Sequence, residues 1–244
     1  MLKQFCLILA AIGAITGCAG QQPPKFEFPA DTRVGIINQL EAYATHQNYQ
    51  PIRIGDFTKN RQVNWDIPAY VENQLRRHLQ NDPRYTVIPQ NLAALRVEPA
   101  TRDRITSSSQ IEPEFAGLLE KLADQKDLDV IVWIKSFKGP SPFKIAKNPI
   151  ELKGYGLFTR QQLLQKNAYA YANIEVIVLK THPITYLSSG SAKIKDSPIT
   201  DINLGDNLRN LPQSELDKLL PFIQSYADEA VDNALKNANL IPTI

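Results

Sequence analysis

Cysteine is scarce in this chain, whose 244 residues contain only Cys6 and Cys18. Cys6 lies in an apolar segment near the amino terminus that we expect to be removed during export, so the processed chain keeps one thiol. A single cysteine forms no intrachain disulfide, even in an oxidising compartment. Disulfide-stabilised folds are therefore excluded, and Cys18 is available for another modification.

An excess of charge of one sign is also lacking. Lysine and arginine number 27 against 25 aspartates and glutamates, and the two signs are interspersed along the chain. Without a basic stripe, nucleic acid is not an expected partner. No long apolar run follows Ile15, which excludes a helical membrane protein for the rest of the chain.

The motifs of common catalytic sites are missing or incomplete. Gly154-Tyr-Gly156 lacks the third glycine and the Lys-Ser/Thr pair of a nucleotide site. Ser188-Ser-Gly-Ser-Ala192 has one glycine and falls in a predicted strand, so we interpret it as a place where a neighbouring element packs closely. His46, His78 and His182 are widely separated, without metal-ligand spacing. We expect no catalytic residue, no metal and no cofactor, and therefore no enzyme.

Carboxylates are plentiful, and their positions in the sequence predict that most of them face solvent. Asp228 and Asp232 stand four residues apart on a predicted helix, where like charges repel, which favours an exposed face. The group at Asp124, Asp127 and Asp129 is typical of a hydrophilic turn. Glu175 interrupts an apolar strand, and we expect it on an edge that faces solvent or a partner.

The amino terminus carries a positive signal. Lys3 precedes the apolar segment 5–15, which has the length of a signal-peptide core and is too short to span a bilayer. Ile15-Thr16-Gly17-Cys18 resembles the lipobox of bacterial lipoproteins. The resemblance implies that residues 1–17 are a signal peptide and that Cys18 receives a diacylglyceryl thioether and an N-acyl chain, which together bind a membrane stably.

The residues after Cys18 indicate a destination and a layout. Ala19 stands where inner-membrane lipoproteins typically carry aspartate, so by analogy we expect the outer membrane, with the protein facing the periplasm. Residues 18–31 are rich in polar residues and proline and predict a lipidated tether. Residues 32–244 then form a single periplasmic domain.

Periodicity predicts a mixed α/β fold for that domain. We expect strands at 33–40, 51–57, 85–89, 129–134, 167–180 and 184–194, and helices that begin near Asp66, Pro113 and Leu219. On the strand 167–180, Ala168, Ala170, Ala172, Ile174, Val176 and Val178 mark the core face. The closing helix shows an apolar stripe that includes Phe222, Ile223, Tyr226, Val231 and Leu235.

The order of these elements resembles that of several envelope proteins: the amino-terminal domain of TolB, the penicillin-binding-protein activator LpoB and the curli secretion lipoprotein CsgG. The residues that carry the resemblance include Val34-Gly35-Ile36-Ile37, the segment 64–79 and the strand pair around 172–192. It implies a sheet of about five to seven strands packed by three main helices, and a role other than catalysis.

The segment 139–166 is unusually long for a connection between two strands. In the curli secretion lipoprotein, the corresponding place holds a strand pair that enters the outer membrane and forms a pore in a ring of subunits. Here lysines and prolines interrupt the first limb. We therefore predict a mobile loop that binds a protein partner, or else a plain surface hairpin; the candidate partner-binding residues are Phe143, Tyr155, Leu157 and Phe158.

Two functions remain open, and a hydrolase is a third alternative that only a cleft with converging histidine and carboxylate groups would favour. The first is a non-catalytic, lipid-anchored periplasmic protein that binds a partner in cell-envelope assembly or maintenance. The alternative is a subunit of an oligomeric outer-membrane secretion channel of the curli-secretion type. The sequence leaves the oligomeric state undetermined.

Overall fold

The computed structural model describes residues 26–50, 55–82, 85–88, 111, 113–145, 148–162 and 165–242. Nine strands in this part form one mixed sheet: β1 (Thr32–Asn38), β2 (Ala44–Tyr49), β3 (Phe57–Arg61), β4 (Tyr85–Ile88), β5 (Val130–Ser136), β6 (Lys138–Ile145), β7 (Asn148–Gln162), β8 (Gln165–Lys180) and β9 (Thr185–Ser191). The helices are α1 (Ile67–Gln80), α2 (Pro113–Lys126), α3 (Gln213–Asp217) and α4 (Leu220–Asn237), and a 3₁₀ turn spans Leu208–Asn210.

The strand order is β3-β2-β7-β8-β5-β1-β4, with β6 paired to β7 and β9 paired to β8. The strands β4, β1 and β5 run parallel, whereas β8 is antiparallel to β5, β7 and β9. The predicted α/β class is confirmed, although the sheet has nine strands where five to seven were expected. The sequence analysis missed β2, whose residues Ala-Thr-His-Gln-Asn-Tyr show no apolar alternation.

Helix α1 follows its sequence signals closely. The Asp66 side chain accepts a hydrogen bond of 2.9 Å from the Ala69 amide, which caps the helix. Pro68 lies in the first turn, where a missing N–H costs nothing. Ile67, Val71, Leu75 and Leu79 form one face and are completely buried.

Helix α4 packs against the same side of the sheet as α1, but its stripe needs one correction. Ile223, Tyr226, Val231 and Leu235 are buried as expected, whereas Phe222 is 42% exposed. Phe222 precedes Ile223 by one position, about 100° around the helix axis, and Ile223 takes the inward direction. The same displacement leaves Leu118 of α2 44% exposed beside the buried Leu119.

Strand β8 is buried on both faces. Its predicted core residues, from Ala168 to Val178 at alternate positions, pack with α1 and α4 as expected. Its other face contributes Ile177 and Leu179 to a second cluster under α2, together with Trp133. Helices therefore cover this half of the sheet on both sides.

Two small residues of β9 bring α4 close to the sheet. A Cβ on Gly190 would lie 2.2 Å from the Ala230 carbonyl oxygen, so no larger residue fits. Ser188 Oγ donates a hydrogen bond of 2.8 Å to the Ala234 carbonyl. The expectation that a neighbour packs closely against this small-residue stretch is confirmed.

The predicted strand at 51–57 is wrong at its described end. Gly55 lies in a turn with a φ of 102°, and β3 begins only at Phe57. Residues 51–54 lie outside the described part of the chain. No helix in the described part is both long and apolar enough to cross a membrane.

Candidate functional site

The residues that the sequence assigned to a partner-binding loop lie elsewhere in the fold. Tyr155 and Leu157 are 1% exposed and Phe158 is fully buried, because β7 runs through the sheet between β2 and β8. Phe143 lies in β6, and its side chain is outside the described part of the structure. The expected loop is therefore a strand pair. Its apolar residues lie on both faces because each face packs against other parts of the fold.

Cys18 also lies outside the described residues. The first described residues, from Phe26 onward, already pack against the folded domain. Phe28 is buried and its ring lies 6.4 Å from that of Tyr85. Phe26 packs edge-to-face on Phe28, and its carbonyl accepts a hydrogen bond from Asn239. Within the described part of the chain, Phe26 and Phe28 thus already contact the core, although they belong to the segment predicted as tether, and they lie at the end of the sheet where β1 starts.

Several polar residues that the sequence singled out have structural partners. The Tyr70 hydroxyl of α1 donates to the Asp228 carboxylate and lies 3.0 Å from each of its two oxygens. Asp232 pairs with His78 of α1 at 3.3 Å and with Lys236 at 3.0 Å. The Asp232 side chain remains 38% exposed, in keeping with the expected solvated face, but both carboxylates also join α4 to α1.

Glu175 is likewise tied to the fold rather than presented at an edge. It stands directly opposite Lys135 on β5, and the two side chains form an ion pair of 3.3 Å. Lys135 is only 4% exposed and its ammonium group lies 5.4 Å from the Trp133 ring centroid. A buried ammonium group needs such a partner to offset its loss of water.

His46 belongs to a buried polar network in β2. The Thr159 hydroxyl donates to Asn48 Oδ1 at 2.8 Å and lies 3.0 Å from His46 Nε2. Since that hydroxyl hydrogen is used, Nε2–H of His46 donates and its Nδ1 carries a lone pair, for which the described residues supply no partner. Burial, followed by the charges of Arg61 and Lys59, lowers the pKa of His46 to about 3.

A polar groove lies where β7 changes its pairing partner from β6 to β2. Gly154 has a φ of 67° and Gly156 a φ of 149°, conformations that glycine adopts without strain. From Gly156 onward β7 pairs with β2, whereas its first residues pair with β6. This kink turns Lys153, Gly154 and Tyr155 into a wall beside the β2–β3 hairpin. We name the resulting cavity the β7 groove.

Two cross-strand pairs form the floor of the β7 groove. Thr45 stands opposite Asn60, and Gln47 stands opposite Thr58. Directly opposed residues of antiparallel strands project from the same face, so the four hydroxyl and amide groups line one surface. The groove has a volume of about 440 Å³, including the part that is open to solvent.

Glu41 and Tyr43 close one end of the groove. Glu41 accepts a hydrogen bond of 2.6 Å from Ser136 at the end of β5 and lies 3.6 Å from Lys153 Nζ. The Tyr155 hydroxyl donates to the Glu41 carbonyl at 2.6 Å, and burial raises the pKa of Tyr155 well above its ordinary value. Among the described lining residues, Glu41 is the one carboxylate and Lys153 the one ammonium group, and their charges offset each other.

The position of the β7 groove in the fold is typical of a binding site. Glu41 follows β1 and contacts the last residue of β5, so this end of the groove lies at the carboxyl ends of two parallel strands. Ligands of open α/β sheets commonly bind at that edge. Because β1 spans roughly 20 Å, the groove and the entry point at Phe26 lie at opposite ends of that strand.

Sequence reasoning missed the β7 groove because its lining comes from three separate segments. The signal that could have found it is the pair of glycines at 154 and 156 inside an otherwise β-forming stretch, since isolated glycines in a strand often mark a bulge. No cluster of three or more metal-ligating side chains occurs among the described residues.

Comparisons with known proteins add little to this geometry. No protein-family model matches the chain, and no curated protein matches it significantly. The hypothetical protein CT253 from Chlamydia trachomatis is 11% identical with a TM-score of 0.32, over 81% of this chain and 98% of that one. Lipoprotein GNA1162 from Neisseria meningitidis is 14% identical with a TM-score of 0.28, over 80% and 96% of the two chains. Similarity this low carries no argument about function.

Proposed function

We propose that this protein is a non-catalytic module of the bacterial cell envelope, anchored by lipid on Cys18 to the outer membrane and facing the periplasm. The observation that carries the proposal is the sequence Ile15-Thr16-Gly17-Cys18 directly after an apolar segment of signal-peptide length. The position of Ala19 supports the outer membrane as the destination.

The roles of the polar residues support binding rather than catalysis. Catalysis by a nucleophile or general base requires side chains whose geometry and protonation are free to serve a substrate. Instead, Ser188 bonds to the backbone of α4, His46 lies inside the sheet and Asp228 holds Tyr70. The β7 groove, by contrast, offers hydroxyl and amide groups that a ligand can reach.

The anchor is tested by replacing the thiol that carries it. We expect Cys18→Ser to remain an unacylated and unprocessed precursor, because the acylated cysteine is the feature that the lipoprotein resemblance makes essential for processing. Radiolabelled palmitate incorporation and the size of the protein on a gel measure both steps. Cys6→Ser, which changes the other cysteine, is the matched control and should mature normally.

Normal labelling and processing of Cys18→Ser would contradict the lipid anchor. Labelling of the wild type at a position other than Cys18 would do the same. Neither result would bear on the fold described above, which concerns residues 26–242.

A further inference from the structure

We propose that the outer edge of β9 is a latent pairing site for a second copy of this chain, and that polar side chains of α4 hold this edge closed. Strand β9 pairs with β8 on one side, and none of the described strands pairs with its other side. Such an edge presents main-chain N–H and C=O groups that can template a further strand. Whether these groups are free therefore decides whether the chain can associate with itself.

The sequence of β9 favours self-association at this edge. Its residues, Thr-Tyr-Leu-Ser-Ser-Gly-Ser, include no charged residue and no proline. Charged side chains, especially lysine, and proline are common means by which an edge strand resists pairing. The edge strand β3 has such protection, because its Lys59 and Arg61 would repel the same residues of a second copy. Two copies of β9, by contrast, would meet without charge repulsion.

Two asparagines of α4 occupy main-chain acceptors of β9. The Asn237 side chain donates to the Ser189 carbonyl at 3.4 Å, and the Asn233 side chain donates to the Ser191 carbonyl at 3.2 Å. Alternate residues of an antiparallel strand turn their main-chain groups to opposite edges, so Ser189 and Ser191 present theirs at the same edge. Two of the acceptors that a second strand would use are therefore taken.

The same pattern continues beyond the end of β9. The Lys193 amide donates to Glu229 Oε1 at 3.3 Å, and the Lys195 amide donates to the Tyr226 hydroxyl at 3.1 Å. Every second residue from 189 to 195 thus bonds to a side chain of α4. One helical turn rises about 5.4 Å and two strand residues rise about 6.6 Å. Because the two spacings are similar, one face of the helix follows the edge residue by residue.

Close packing on the face of β9 fixes α4 in this position independently of the edge contacts. A Cβ on Gly190 would lie 2.2 Å from the Ala230 carbonyl oxygen, and Ser188 Oγ donates to the Ala234 carbonyl. These contacts do not involve the two asparagines. Removing the asparagine side chains should therefore open the edge while the helix stays in place.

The experiment measures the mass of the full-length, lipidated protein in mild detergent by light scattering at a series of concentrations. We expect the mass of Asn233→Ala/Asn237→Ala to rise with concentration to about twice that of the wild type, because two-fold pairs are the commonest assemblies. The wild type should keep one mass throughout. The variant should keep the melting temperature of the wild type, since the higher helix propensity of alanine offsets the loss of two solvent-exposed hydrogen bonds.

Asn73→Ala is the matched control, because Asn73 is an exposed asparagine on α1. It should keep the mass of the wild type. A further variant adds Ser191→Pro to the double substitution. Proline is tolerated on an edge strand where its nitrogen faces outward, and it resists pairing there. This variant should therefore return to the mass of the wild type.

Three results would overturn the proposal. A double variant that keeps the wild-type mass at every concentration would show that the asparagines do not hold the edge closed. Association that Ser191→Pro leaves unchanged would place the contact on another surface. Equal association of Asn73→Ala would show that the effect is not specific to the β9 edge. None of these results bears on lipidation, which the palmitate experiment measures separately.

Discussion

His46 donates its Nε2–H to Thr159, and its Nδ1 is buried without a partner in the described part of the chain. Its pKa is lowered to about 3 in the folded protein, whereas an unperturbed histidine has a pKa of about 6.5. Between these values the unfolded chain binds a proton that the folded chain does not. Stability contributed by this group is therefore present above pH 6.5 and is lost as the pH falls toward 3.

The corresponding prediction concerns His46→Gln, which keeps a neutral donor and removes the titration. Below pH 6.5, the free energy of unfolding of the wild type should fall faster than that of the variant, by up to about 1.4 kcal/mol per pH unit. Urea denaturation of both proteins at a series of pH values measures the difference. Parallel curves for the two proteins would show that His46 is not held neutral by the fold.

The network around His46 also shows what a residue pattern cannot reveal. Thr159 follows Asn48 by 111 positions in the sequence, yet its hydroxyl donates to that amide. Some of the polar residues of β2 find their partners only on this distant strand, so the segment resembles a loop when it is considered alone. In the same way, Asp228 resembles a surface residue until Tyr70 of another helix is placed beside it.

At the scale of elements, the kink of β7 depends on Gly156. A Cβ at this position would lie 2.1 Å from the Thr45 carbonyl oxygen, and a φ of 149° is strained for any other residue. Gly156→Ala must therefore push β7 away from β2 or change the backbone. Either change alters the wall of the β7 groove.

We expect Gly156→Ala to destabilise the protein by at least about 2 kcal/mol, through overpacking and backbone strain. Gly117→Ala is the matched control: it lies in α2, and an added Cβ meets no atom within 4 Å. Alanine in a helix should stabilise by about 0.5–1 kcal/mol. Thermal melts of the two variants should thus move in opposite directions, and a shift of both in the same direction would contradict the assigned role of Gly156.

The sequence predicted those elements whose apolar residues recur with a clear helical or strand period. The stripe of α1 and the alternation of β8 follow directly from side-chain geometry, and both are confirmed. Strand β7, like β8, has buried residues on both faces, Leu157 on one and Phe158 on the other, but Lys153, Gly154 and Gly156 interrupt its apolar pattern. Prolines and lysines in the preceding β6 then made the whole segment resemble a loop.

At the scale of the whole molecule, the packing of β7 disfavours the secretion-channel alternative. Strand β7 pairs with β6 over its first residues and with β2 and β8 over the rest. Its apolar residues, such as Leu157 and Phe158, are buried within this chain. Withdrawing it to line a pore would expose that core to water. We therefore expect the protein to leave membranes in mild detergent as a monomer or dimer.

Light scattering coupled to size-exclusion chromatography measures that mass. A large ring would favour the secretion-channel alternative over the binding module.

The attachment of Phe26 and Phe28 beside β1 determines how the molecule would bear a mechanical load. Phe26 is eight residues beyond Cys18, so the fold would sit within roughly 26–29 Å of its anchor. Tension between membrane and groove would pull β1 along its own axis. Because β1 lies between the parallel strands β4 and β5, hydrogen bonds on both of its sides would share that force in shear rather than open one after another. A chain anchored as proposed would therefore resist such a load through both strand pairs of β1.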